Sequence, residues 1–126
     1  MDDESKGLAY SLSAKEPYLV VSFLGPATRK CTTTIERCQQ DIVASTAKFV
    51  VISMKDVSQI ERPLIPHFVR MQKQVRDSNK ELRICNIRPE LVLLLTDLGA
   101  VRPAELAYDL PTAIKSFLTS GRDGRS

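Results

Sequence analysis

The sequence predicts an α/β domain, a mixed sheet of four to five strands with about four helices packed mainly on one face. Three observations predict it. Apolar residues switch repeatedly between the alternate spacing of a strand and the three-to-four spacing of a helix. Pro and Gly mark most of the changes. Only Lys15-Glu16-Pro17 separates the first two strand-like segments, so these pair antiparallel, whereas later strands are separated by helices and pair parallel. A chain of 126 residues, 43% hydrophobic and 26% charged, has the size and composition of one globular domain. Residues 7–119 are expected to form it. Flexible ends are expected at 1–6 and 120–126, which lack apolar anchors.

Residues 8–14 alternate weakly, and 18–24 form a β-branched and aromatic run ended by Gly25-Pro26. Between 31 and 47 the period changes. Cys31, Ile35, Cys38 and Ile42 share one helical face, while Glu36, Gln40 and Ala44 point away. Residues 48–54 are continuously apolar in the middle and read as a buried central strand. The next helix starts near Pro63, where a missing N–H has no intrahelical partner, and Pro66 also fits in the first turn. Its stripe is Leu64, Phe68, Met71 and Val75. A strand over 82–87 follows. Arg88-Pro89 then opens a helix carrying Leu91, Leu94, Leu95 and Leu98 on one face, stopped by Gly99. An extended piece spans 101–107, and Asp109 caps a last helix over 110–118.

Three stretches in register carry a family resemblance. Phe49-Val-Val-Ile-Ser-Met-Lys-Asp-Val-Ser58 ends an aliphatic strand in an Asp-Val-Ser turn; Arg83-Ile-Cys-Asn-Ile-Arg-Pro89 forms a strand and turn; the following helix ends at Leu98-Gly99. Together they resemble the STAS family (sulphate transporter and anti-sigma-factor antagonist) from about residue 18 to 118. In its best-known members the loop after the central strand carries Asp-Ser-Ser-Gly. A partner kinase phosphorylates the second Ser to release a bound anti-sigma factor, and a phosphatase reverses this. The matching residues here are Glu61-Arg62-Pro63-Leu64. The acid is kept in kind, but Pro63 stands at the acceptor position and has no hydroxyl. Ser58 is the one hydroxyl nearby.

The resemblance implies a regulatory protein–protein interaction domain of the anti-sigma-factor antagonist type, not an enzyme, lacking the usual switch serine. Its partner would be an anti-sigma factor or kinase, or another STAS-containing protein. The alternative is a small-molecule or nucleotide-sensing module of the same fold, or a subunit of a stressosome-like or lipid-transport ATPase assembly.

The residues agree that catalysis is not expected. His67 is the single histidine and lies at the edge of an apolar stripe. No zinc, P-loop or nucleophile-elbow motif occurs, and no cofactor or metal is expected. A net charge of +3 falls short of a dedicated nucleic-acid binder. No apolar run reaches membrane-spanning length, and the acidic start is no secretory signal. Three cysteines without metal spacing suit a reducing compartment, so a cytoplasmic location is expected.

Two surfaces stand out. Ser58, Glu61, Arg62, Pro63 and Leu64, with Ile65, Val69 and Arg70 on the helix that follows, compose an expected partner-binding ridge in which apolar residues are rimmed by arginine. Arg76 sits on the same flank. On the leucine helix, Val92 and Leu93 turn away from the stripe. Either another element covers them or they form a subunit contact in a homo-oligomer.

Overall fold

A computed structural model describes residues 7–124. The expected flexible segment 1–6, and residues 125–126 of the expected tail, lie outside the described residues. Strand β1 (Ala9–Lys15) turns directly into β2 (Tyr18–Leu24), and the two pair antiparallel from Ala9↔Leu24 to Lys15↔Tyr18. β3 (Phe49–Asp56), β4 (Glu81–Cys85) and β5 (Leu106–Ala107) then add in order, each parallel to its neighbour. The sheet is therefore mixed, with one antiparallel edge contributed by the hairpin.

Helices α1 (Thr32–Ala44), α2 (Ile65–Asp77) and α3 (Pro89–Asp97) are the three successive crossovers. Their apolar residues join one core with Leu19, Val21 and Phe23 of β2, Val50 and Ile52 of β3, and Leu82 and Ile84 of β4. Crossovers of one hand on a sheet that grows in one direction place their helices on one side. The last helix, α4 (Leu110–Gly124), covers the opposite side. There Ala113 and Phe117 pack with Val51 and Cys85, flanked by Tyr18 and Phe49. Buried Arg83 lies beneath it. Its guanidinium carbon sits 4.7 Å from the Phe117 ring centroid, and its Nε–H donates to Ser116 Oγ at 2.7 Å.

The helical faces match the spacing: Cys31, Ile35, Cys38 and Ile42 are buried, and Glu36, Gln40 and Ala44 are exposed. Boundaries differ where local groups intervene. α1 stops at Ala44 instead of 47, because Ser45 Oγ accepts the Ala47 N–H at 3.0 Å and the chain turns Ala47 into the core. β3 runs on to Asp56, where its exit stays paired with Leu24. β4 stops at Cys85 instead of 87, since Asn86 takes a left-handed conformation (φ 61°). Gly99 (φ 67°) ends α3 as expected, but Leu98 beside it is exposed and not part of the buried stripe. α4 is longer than expected, its backbone remaining helical to Gly124 in the segment read as tail.

Candidate functional site

The exit of β3 is held by backbone pairing to the exit of β2. Gly25 N–H donates to Asp56 O (2.9 Å), Ala27 N–H to Gln59 O (2.9 Å) and Glu61 N–H to Ala27 O (2.8 Å). Val57 and Ile60 drop into the core, leaving Ser58 and Gln59 exposed between them. Gly25 itself has φ 104°, and a Cβ there would stand 2.8 Å from the Gly7 carbonyl oxygen. The loop is therefore a pinned ridge.

Glu61 closes it. Its Oε1 accepts the Arg29 backbone N–H at 2.8 Å and the Arg29 Nε–H at 3.4 Å. The backbone bond, helped by the Arg29 side chain, holds its carboxyl below the usual range. A 3₁₀ turn, Arg62–Leu64, follows with Pro63 inside it, and Leu64 N–H donates to Glu61 O at 3.0 Å. Arg62, Pro63, Pro66 and Arg70 face outward, and Arg29 and Lys30 are exposed on the adjoining turn. No hydroxyl stands at Arg62 or Pro63.

The structure narrows the expected ridge. Leu64 is 1% and Ile65 6% exposed, so both belong to the core and cannot face a partner. Ile65 is buried because α2 meets its neighbours over a wider arc than the four-residue stripe, an arc that also takes in Gln72. Arg76 is likewise not free: it donates to both oxygens of Glu105, at 2.7 and 2.9 Å, and to Gln72 Oε1 at 3.1 Å. Val69 remains at the surface. What faces outward is thus Ser58, Arg62, Pro63, Pro66, Val69 and Arg70, with Glu61 half-buried beneath.

Val92 and Leu93 lie apart from this ridge. They form one wall of a groove of about 830 Å³ at the ends of β3, β4 and β5, where α3 begins. Val92 is half-buried, while Leu93 is 68% exposed, so no element among the described residues covers it. Tyr108, also on the wall, is 85% exposed. The groove escapes sequence reading because three separate segments build it: Lys55, the stretch from Asn86 to Leu93, and Leu106 to Tyr108.

His67 is half-buried on α2. Among the described residues no group of three or more His, Cys, Asp or Glu side chains could hold a metal ion. Likewise no helix among them is long and apolar enough to cross a membrane. The three cysteines are free and buried. Burial pushes Cys38 up to about 12 and Cys85 up to about 11, so both remain thiols at neutral pH.

Comparison with known proteins agrees with the architecture. A family model, the STAS domain, matches residues 13–113. No curated protein sequence matches the chain. Among solved structures, a serine-to-glutamate variant of RsbS from Moorella thermoacetica superposes with a TM-score of 0.75 at 14% identity, over 90% of this chain and 97% of that one. An anti-sigma factor antagonist from Mycobacterium paratuberculosis gives 0.68 at 17% identity, over 86% and 92%. A chain of the stressosome, a signal integration and transduction hub, gives 0.70 at 13%, over 89% and 99%. At these identities the likeness is one of fold. The family rests on the sequence match, which spans most of the domain and includes the β3 exit, and by it this chain belongs to the STAS domain family.

Proposed function

We propose that this domain is a non-catalytic regulatory module that docks a protein partner through the ridge at the β3 exit, without the serine switch. The observation that carries this reading is the ridge itself. Beside Ser58 and Val69 its outward groups are two arginines and two prolines, on a loop backbone stitched to the exit of β2, and neither Arg62 nor Pro63 offers a phosphate acceptor. A proline inside the turn also leaves one fewer N–H for a partner or phosphate to use. Arg62 and Arg70, with Arg29 and Lys30 close by, favour an acidic partner surface. Proteins of the same fold that are an anti-sigma factor antagonist and a stressosome component support a signalling partner, such as an anti-sigma factor or kinase or a second STAS protein. Three buried free thiols fit a cytoplasmic setting.

The test is quantitative capture of partners from the source cell by the wild type and by the double charge reversal Arg62→Glu/Arg70→Glu. Loss of one prominent partner, with the melting temperature unchanged, is expected. Retention of every partner moves docking elsewhere. Phosphate found on Ser58 after incubation with a cognate kinase overturns the switchless ridge.

A further inference from the structure

The groove beside Leu93 has a chemistry of its own. Its volume, about 830 Å³, lies in the range of small-molecule sites, and it opens at the carboxyl ends of the parallel strands. Ile87, Val92, Leu93, Leu106 and Tyr108 make its wall largely apolar. Leu93 and Tyr108 are the two most exposed large side chains of apolar character among the described residues, and they share this one site.

The charges on the wall are of one sign. Lys55 and Arg88 line the groove, and no acidic residue does. Neither cation forms a salt bridge or hydrogen bond among the described residues, whereas Arg29, Lys73, Arg76 and Arg83 each reach a carboxylate. The acids nearest in sequence are Asp56, Glu90 and Asp109. None lines the groove, and Asp109 accepts the Thr112 N–H at 3.0 Å. Asn86 adds the one neutral side-chain amide on the wall. Its Nδ2–H donates to Ser53 Oγ at 3.3 Å, which fixes the amide in the wall.

From this juxtaposition we propose that the groove binds a small amphiphilic carboxylate. Its apolar body lies on Val92, Leu93 and Tyr108, and its head is held by Lys55 and Arg88. A nucleotide suits the wall less well, since no glycine lines it to let backbone N–H groups cradle a polyphosphate. A second copy of the chain suits it less well too. A two-fold contact presents the same patch from both sides, so Lys55 and Arg88 of both copies would enter one dehydrated interface without a counter-charge. On this proposal a ligand occupies the face for which the sequence leaves open a Val92–Leu93 subunit contact. This inference does not rest on the ridge.

The test is calorimetric titration of the full chain with dodecanoate below its micelle concentration, with dodecanol and GTP in parallel. Saturable one-site binding of dodecanoate is expected. Binding should weaken at least about tenfold for dodecanol and for Lys55→Glu/Arg88→Glu, the loss of a charge-assisted contact. Lys55→Gln/Arg88→Gln, which removes the two charges without reversing them, repeats the test should the reversal misfold. Arg62→Glu/Arg70→Glu should bind dodecanoate like the wild type. Absence of saturable binding, equal binding of dodecanol, or no effect of either double variant overturns the proposal. So does GTP binding without dodecanoate binding, or a dimer in sedimentation that Leu93→Asp dissociates and dodecanoate leaves intact.

Discussion

The ridge and the groove share one end of the sheet but are built in opposite ways. At the ridge, backbone hydrogen bonds and the Glu61–Arg29 contact hold a convex turn whose leucine points inward. At the groove, the end of β3, the turn into α3 with its first residues, and the end of β5 leave a concave surface whose leucine points outward. Two leucines thus meet different fates because one follows a turn stitched to a neighbouring strand and the other follows a helix start with nothing packed over it. The contrast teaches that the ridge is stabilised from within, while the described residues leave the groove open.

Substitution of those leucines gives the largest contrast. Leu64→Ala is expected to destabilise the fold by about 2–5 kcal/mol, and Leu93→Ala to stay within about 0.5 kcal/mol, in urea unfolding. Equal effects would erase the distinction. Gly25→Ala comes next. Its Cβ meets the Gly7 carbonyl, and the backbone takes a left-handed conformation, so a loss of about 1–3 kcal/mol is expected together with weaker partner capture at the ridge.

Arg76→Ala tests whether the C-terminal end of α2, away from both surfaces, is structural. Removing it leaves half-buried Glu105 without its bidentate partner, at a cost of about 1–2 kcal/mol, since both groups still reach solvent. Partner capture should not change beyond that loss of stability. The smallest effect is electrostatic. Glu61 has its folded pKa depressed, so its contribution is present above the unfolded carboxylate pKa and is lost as pH falls through the depressed folded value. The Arg29 amide resonance should follow that titration below the ordinary carboxylate range, and Glu61→Gln should abolish the step.

Much of this was legible in the residues. The period of Cys31, Ile35, Cys38 and Ile42 placed α1's buried face, Pro63 marked the start of the α2 region, and Gly99 marked the end of α3. The β3 exit was recognisable because its turn residues are contiguous. Ile65 and Gln72 were not legible as core, because the width of a helix's buried arc depends on how many neighbours surround it, and those neighbours are distant in sequence. Arg76 read as a surface charge for the same reason: Glu105 lies beyond the next strand and helix.

By itself the sequence determined the element order, the antiparallel edge, the absence of a hydroxyl at Arg62 and Pro63, and the family, since spacing and residue type are local properties. The tertiary structure alone decided which of the ridge residues face outward and which cations have partners. It also gathered Lys55, Arg88, Leu93 and Tyr108 around one groove. Those outcomes depend on contacts between segments far apart in the chain, and a one-dimensional pattern does not encode which surfaces the packing leaves uncovered.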